Sequence, residues 1–177
     1  MFKKILIANR GEIAVRIIRA CKELGVQSVA IHSDVDTDAM HVKLADESVC
    51  VGGALPNLSY LNIPNIMSAI NITGADAVHP GYGCLSENDK FAKILHKHEV
   101  KFIGPSSKSI LALGNKSNAL KIAYENNLPI LGNKDAQNIN STKEASKIAK
   151  EIGMPIVIKA AYGGGGKGMR VFNKESE

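Results

Sequence analysis

Tryptophan is absent from the 177-residue sequence, and aromatic residues of all kinds make up only 5% of it. The formal net charge of +5 is spread along the chain and forms no basic stripe. Proteins that bind nucleic acid combine clustered basic side chains with aromatic platforms on which bases stack. The scarcity of both features therefore excludes nucleic acid as an expected partner.

Paired cysteines and long hydrophobic runs are missing too. Cys21, Cys50 and Cys84 are far apart and form no C-x-x-C motif, so we expect reduced thiols, as in the cytoplasm or an organelle matrix. The amino terminus, Met1 to Lys4, leads into only a short apolar run, which predicts neither a signal peptide nor a membrane span. With 45% hydrophobic and 22% charged residues, the composition is typical of a soluble globular protein.

Short apolar runs alternate with helical periodicity over residues 1–114. The run at residues 4–8, for example, precedes a helix on which Ile13, Ile17 and Cys21 share one face. About four such strand and helix pairs follow one another, and glycines end several of the helices. This order predicts an α/β domain with an open parallel Rossmann-like sheet and helices on both faces.

Three alternate aspartates, Asp34, Asp36 and Asp38, resemble the start of a calcium loop. The sixth and twelfth positions, however, are Ala39 and Ala45, where such a loop needs glycine and glutamate. We therefore reject calcium and expect the aspartates to cap the short helix that follows.

A glycine-aromatic-glycine turn, Pro80 to Gly83, follows a buried strand and precedes a predicted capping box formed by Ser86 and Asp89. Ligands of open α/β sheets bind at the carboxyl ends of the strands, where this turn places Tyr82. A purely structural turn with Tyr82 packed over it explains the pattern equally well.

Residues 115–177 have a different pattern of predicted elements. They predict a helix from Lys116, a short strand at residues 128–131, a polar loop, and a helix capped by Ser141 with Glu144. The chain then forms a strand, a glycine loop and a strand. Because a hairpin with nothing packed on it is marginal in water, we expect this segment to be the beginning of a second, incomplete domain.

The glycine loop joins the apolar run that ends at Lys159 to the run Met169 to Phe172, and it contains Gly163, Gly164, Gly165, Gly166, Lys167 and Gly168. Lysines and backbone N–H groups exposed by glycine suit a polyphosphate. Neither a Walker loop, which needs Ser or Thr after the lysine, nor a dinucleotide fingerprint, which needs a following helix, matches. A flexible hairpin tip and a nucleotide-binding loop both remain open, and the two lysines favour the second.

The sequence resembles biotin carboxylases from Met1 to about Val171. The resemblance is carried by four stretches in the family's order: Ile7 to Ala14 (I-A-N-R-G-E-I-A), His79 to Asn88 (H-P-G-Y-G-C-L-S-E-N), Phe102 to Pro105 (F-I-G-P) and Ile158 to Arg170. It implies a pre-ATP-grasp domain at residues 1–114, followed by the truncated beginning of an ATP-grasp domain at residues 115–177. Cys84, where many members have phenylalanine, and Lys167, where arginine is frequent, are conservative departures.

The resemblance also implies a ligase that uses MgATP to convert bicarbonate to carboxyphosphate and then carboxylates biotin on a carrier protein. A carboxyltransferase would complete the reaction. The parent enzyme would be either acetyl-CoA carboxylase, which serves fatty acid biosynthesis, or a longer acyl-CoA or pyruvate carboxylase. Arg16, Arg19 and Glu23 lie on a helix that matches the family's homodimer contact.

Site residues follow from the same resemblance. Lys116 and Lys159 match ATP-contacting lysines, and Gly163 to Gly168 match the loop over the phosphates. Val157 and Met169 match apolar positions beside adenine, whereas Tyr82 and Gly83 match a turn that faces biotin.

The family's magnesium carboxylates, bicarbonate-binding arginine and general base have no counterpart before Glu177, and no A-M-K-M biotin-attachment motif occurs. We therefore expect no catalytic residue in this chain and no turnover by it alone. Two other hypotheses stay open: a stand-alone nucleotide-binding or dimerisation module, and a different bicarbonate-activating ATP-grasp ligase such as half of a carbamoyl-phosphate synthetase.

Overall fold

The computed structural model describes residues 1–130, 139, 141–160 and 168–174. The chain divides into two compact units, Met1–Ile110 and Leu111–Glu177. The assignment of residues 1–114 and 115–177 to separate functional domains stays a prediction. No helix in the described part of the chain has the length and apolar character needed to cross a bilayer.

The first unit is built on a five-stranded sheet in which every pairing is parallel. Its strands are β1 (Lys4–Ile7), β2 (Gln27–Ser33), β3 (Glu47–Gly52), β4 (Ala77–His79) and β5 (Lys101–Phe102). Their order across the sheet is β3-β2-β1-β4-β5. The predicted open parallel α/β sheet is therefore confirmed.

Helices cover both faces of this sheet, as predicted. They are α1 (Gly11–Leu24), α2 (Met40–Leu44), α3 (Ile63–Thr73), α4 (Asp89–Lys97) and α5 (Ser107–Gly114), with two 3-10 turns at Asp34–Asp36 and Pro56–Leu58. Because successive strand side chains point to opposite faces, β1 contributes to two cores. Ile5 packs in one core with Ile17 and Ile18 of α1, and Leu6 packs in the other with Ile66 of α3.

Two of the predicted helix caps are wrong. The N-cap residue of α2 is Ala39, and no side chain caps this helix, because the first two aspartates lie in the preceding 3-10 turn. Helix α4 begins after Asn88, whose side chain accepts a hydrogen bond from the Phe91 backbone N–H. Ser86 instead donates its hydroxyl hydrogen to the Gly83 carbonyl.

The second unit contains α6 (Lys116–Glu125), α7 (Thr142–Ile152) and an antiparallel pair of strands, β6 (Ile156–Lys159) and β7 (Met169–Phe172). The predicted Ser141 cap is confirmed, since its hydroxyl accepts from the Glu144 backbone N–H at 3.2 Å. The predicted strand at 128–131 is wrong for residues 128–130, which are irregular, and its last residue lies outside the described residues.

Candidate functional site

The β6–β7 hairpin brings three of the predicted nucleotide-binding residues onto one surface. Lys159 pairs with Met169, and Val157 pairs with Val171. Directly paired residues of antiparallel strands project to the same face, and so do residues two apart on one strand. One face of the hairpin is therefore formed by Val157, Lys159, Met169 and Val171.

Glycine is required at the described end of the hairpin loop. The Ala160 backbone N–H donates to the Gly168 carbonyl at 2.8 Å, which continues the pairing past Lys159. Gly168 has a φ of +72°, and a Cβ there would lie 2.9 Å from the Ala160 Cβ. Both the backbone conformation and the available space exclude a side chain. The other predicted loop residues, Gly163 to Lys167, lie outside the described residues.

The side chains on this face are of the types that bind a nucleotide, apolar for the base and positively charged for the phosphates. Val157 and Met169 are 48% and 47% exposed, so both offer apolar surface to a planar base. The Lys159 ammonium on the same face offers a positive charge to phosphate. Lys116, the first residue of α6, is also exposed in this unit. Within the described ranges, no group of three His, Cys, Asp or Glu side chains could hold a metal ion.

The predicted biotin-facing turn lies in the first unit, at the carboxyl end of β4. Tyr82 is 58% exposed, and its hydroxyl donates to Glu12 Oε1 at 2.5 Å. This hydrogen bond raises the pKa of Tyr82. Gly83 is exposed, with a φ of +73° and open space around a Cβ position. The turn therefore presents a tyrosine edge and a bare backbone to solvent.

His79 closes the inner side of this turn. Its Nδ1 accepts from the Gly81 backbone N–H at 3.0 Å, which places the ring proton of the neutral imidazole on Nε2. Burial lowers the pKa of His79 and so favours the neutral form. His79 is therefore held in the neutral form, whose Nδ1 can accept the hydrogen bond from Gly81 in the turn.

A cluster around Asp36 was missed by the sequence analysis. Asp36 Oδ2 accepts from the Tyr60 hydroxyl at 2.6 Å, from Ser33 Oγ at 3.0 Å and from Arg10 Nη1 at 3.0 Å. These donors, Tyr60 first, hold the pKa of Asp36 below its usual range. The Arg10 guanidinium also lies 5.2 Å from the centroid of the Tyr60 ring. Arg10 thus has an internal anion as its partner.

The polar residues of α1 that are predicted to form a homodimer contact are solvent-exposed. Arg16, Arg19 and Glu23 all lie on the outer face of the helix, opposite Ile17 and Ile18. That position leaves them accessible to a second subunit. The dimer contact itself stays a prediction.

Comparison with known proteins identifies the family. Residues 1–110 match the family model described as the biotin carboxylase N-terminal domain, and residues 90–177 match the carbamoyl-phosphate synthase L chain ATP-binding domain. The chain is 51% identical over 175 residues to biotin carboxylase of Haemophilus influenzae, covering 99% of this chain and 39% of that protein. It is 53% identical over 176 residues to the human mitochondrial propionyl-CoA carboxylase alpha chain, covering 99% of this chain and 24% of that protein.

Solved structures agree with this result. The chain matches a biotin carboxylase–beta-gamma-ATP complex from Campylobacter jejuni with a TM-score of 0.93 and 47% identity, over 99% of this chain and 39% of that one. It also matches the biotin carboxylase domain dimer of Hydrogenobacter thermophilus 2-oxoglutarate carboxylase, in complex with MgADP, ADP and bicarbonate. That match has a TM-score of 0.92 and 45% identity, over 99% of this chain and 38% of that one. The chain belongs to the biotin carboxylase N-terminal domain family.

Proposed function

We propose that the chain is part of the ATP-dependent ligase component of a biotin-dependent carboxylase. The complete protein would convert bicarbonate to carboxyphosphate at the expense of MgATP and transfer the carboxyl group to N1 of biotin. The chain spans about 39% of the curated biotin carboxylases that it matches, so the activity is proposed for the complete protein. The catalytic base, the bicarbonate-binding arginine and the magnesium ligands are expected in the part of the protein beyond this chain.

The observation that carries the proposal is the shared face of Lys159, Val157 and Met169 on the β6–β7 hairpin. An ammonium beside exposed apolar side chains can hold the phosphates and the base of one nucleotide together. The related structures that contain ATP or ADP support ATP as that nucleotide.

The roles of the individual residues follow from this arrangement. ATP supplies the phosphoryl group that activates bicarbonate, and negative charge gathers on that group during transfer. Lys116 and Lys159 would neutralise this charge, and backbone N–H groups of Gly163 to Gly168 would donate to the phosphate oxygens. Val157 and Met169 would contact adenine. Tyr82 and Gly83, in the first unit, would face biotin.

Partners and parent complex complete the proposal. Biotin would arrive on a carrier protein or domain, and a carboxyltransferase would pass the carboxyl group to its final acceptor. The parent is an acetyl-CoA carboxylase of fatty acid biosynthesis or a longer acyl-CoA or pyruvate carboxylase, in the cytoplasm or an organelle matrix. The exposed α1 surface with Arg16, Arg19 and Glu23 would form a homodimer contact.

The test uses the complete carboxylase that contains this sequence. Phosphate release from ATP is measured with and without bicarbonate and free biotin, for the wild type, for Lys159→Gln and for Lys147→Gln. Lys147 is an exposed lysine of α7 and serves as the matched control. Loss of one charge-stabilising donor predicts a fall in kcat/KM for ATP of about a hundredfold for Lys159→Gln and a change within about twofold for the control.

Three results would contradict the proposal or part of it. A complete protein that cleaves ATP equally well without bicarbonate would refute the carboxylase reaction. Binding of ATP without any turnover would instead favour a stand-alone nucleotide-binding module. Equal loss of activity in Lys147→Gln and Lys159→Gln would refute the assigned role of Lys159.

A further inference from the structure

The backbone of the Tyr82 turn is held by one buried amide. Asn9, which follows β1 and is 5% exposed, donates from Nδ2 to the Pro80 carbonyl at 2.8 Å and to the Tyr82 carbonyl at 2.7 Å. Its Oδ1 accepts from the Arg10 backbone N–H at 2.9 Å. Both N–H bonds of the amide thus go to the turn, and its oxygen fixes the orientation of the group.

The turn is shaped to fit this amide. Gly81 has a φ of +63°, and a Cβ at that position would lie 2.7 Å from Asn9 Nδ2 and 3.1 Å from Ile13 Cγ1. Only a residue without a side chain lets the backbone come this close to Asn9. The contact is therefore specified from both sides, by the amide and by the glycine.

The side chain of the turn has its own anchor. Glu12, in the first turn of α1, accepts the hydrogen bond from the Tyr82 hydroxyl. Because more than half of the Tyr82 side chain is exposed, packing alone leaves the ring several accessible rotamers. The bond to Glu12 selects one of them.

We propose that Asn9 and Glu12 are positioning residues for biotin. Asn9 sets the backbone of the Pro80 to Gly83 turn, and Glu12 sets the direction of the Tyr82 ring. This inference rests on the proposed function, in which Tyr82 and Gly83 face biotin. Neither residue needs to contact biotin, since each acts through the turn.

The experiment measures steady-state kinetics of the complete carboxylase with free biotin as acceptor. The variants are Asn9→Asp, Glu12→Ala and Glu12→Gln. Asn9→Asp replaces the NH2 group, which makes both hydrogen bonds, by a carboxylate oxygen that repels the turn carbonyls, and Glu12→Gln keeps an acceptor for the Tyr82 hydroxyl. Asn65→Asp is the matched control for Asn9, because Asn65 Nδ2 donates to the Val51 carbonyl at 2.8 Å, in a contact outside the turn.

A control for Glu12 is Glu47→Ala, which removes an exposed carboxylate whose partner is Lys4. Loss of the positioning hydrogen bonds, two in Asn9→Asp and one in Glu12→Ala, predicts a rise in KM for biotin of at least about three- to tenfold in each variant. The KM for ATP should stay within about twofold of wild type, because the nucleotide residues lie in the second unit. Glu12→Gln should recover most of the biotin KM, and both controls should match wild type.

The outcomes separate the two proposals. Wild-type protein without bicarbonate- and biotin-dependent ATP cleavage would overturn the proposed function and the positioning role with it. An active wild type whose variants keep a normal KM for biotin would overturn the positioning role alone. An equal rise in KM for ATP and biotin would show a general structural defect and would also overturn it. If Asn9→Asp does not fold, the comparison of Glu12→Ala with Glu12→Gln decides.

Discussion

The hydroxyl of Tyr60 donates to Asp36 Oδ2 across 2.6 Å, and the same tyrosine oxygen accepts from the Ser33 backbone N–H at 3.0 Å. Tyr60 is only 1% exposed. The pair joins the end of β2 and the following 3-10 turn to the segment before α3. It therefore connects parts of the first unit that are distant in sequence.

Removal of the Tyr60 hydroxyl should destabilise the fold. Tyr60→Phe keeps the ring but leaves the buried Ser33 N–H without its acceptor and removes one of the three donors to Asp36, so we expect a loss of about 1.5–3 kcal/mol in the free energy of unfolding. Urea denaturation measures this loss. Tyr82→Phe is the matched control, since it removes a tyrosine–carboxylate bond at an exposed position and should change stability much less.

Alkaline stability should depend on the same hydroxyl. Burial, together with the hydrogen bond to Asp36, raises the pKa of Tyr60 from its usual 10 to about 12. The folded state therefore holds this proton more tightly than the unfolded chain, and stability falls as the pH rises from 10 to about 12. Denaturation midpoints across this range should fall more steeply for wild type than for Tyr60→Phe. Parallel curves would contradict the assignment.

Mild acid should weaken the Tyr82 turn through His79. Burial lowers the pKa of this histidine from 6.5, so the folded state binds fewer protons than the unfolded chain below that value. The contribution of His79 to the free energy of unfolding should be constant above pH 6.5 and should fall as the pH decreases toward the folded-state pKa. His79→Gln should reduce this dependence, and an unchanged dependence in His79→Gln would contradict the assignment. Unfolding curves between pH 7.5 and about 5 provide the measurement.

Two glycines with positive φ should respond very differently to alanine. At Gly52, φ is +139° and a Cβ would lie 2.0 Å from the Leu58 carbonyl oxygen. At Gly25, φ is +67° and no atom lies within 4 Å of the Cβ position. We expect Gly25→Ala to cost about 1 kcal/mol and Gly52→Ala about 4 kcal/mol or more. Similar denaturation midpoints for the two variants would contradict the steric explanation.

The start of α4 offers a test of the corrected cap. Asn88→Ala should cost about 1 kcal/mol, because it removes the acceptor of the Phe91 N–H. Ser86→Ala should cost less, since its hydroxyl bonds a turn carbonyl that can also reach water. Thermal unfolding of both variants distinguishes the two assignments. A larger effect of Ser86→Ala would restore the capping box predicted from the sequence.

The layered fold was predictable because it depends on local patterns. The apolar run of β1 and the helical periodicity of Ile17 and Cys21 on α1 each mark an element within a few residues. The start of α4 was not predictable, because Ser86 and Asn88 are both good N-cap residues and Asp89, three positions after Ser86, favoured the earlier start. Burial of Leu85 in the core, a tertiary effect, accompanies the later start.

In the candidate site too, local sequence patterns could be read from the sequence, whereas contacts between distant residues could not. Lys159 was proposed as a phosphate-binding residue from the glycine stretch, and Met169 as a residue beside adenine from the resemblance to biotin carboxylases; both roles stay predictions. The Arg10–Asp36–Tyr60 cluster was missed because its members are separated by 26 and 24 residues, and no spacing rule connects an arginine after β1 to a tyrosine before α3. The Asn9 contact was missed for the same reason, since its acceptors lie 71 and 73 residues away.

The order of the strands shows at which point of the sheet the Asn9 contact lies. From β1 the chain winds outward through β2 and β3, then returns to add β4 and β5 on the other side. In doubly wound sheets, the gap above such a reversal is the place where soluble cofactors dock. Here Asn9 and Gly81 fill the gap between the ends of β1 and β4. The Asn9 amide therefore ties together the two directions in which the sheet is wound, through the chain's own Pro80 to Gly83 turn.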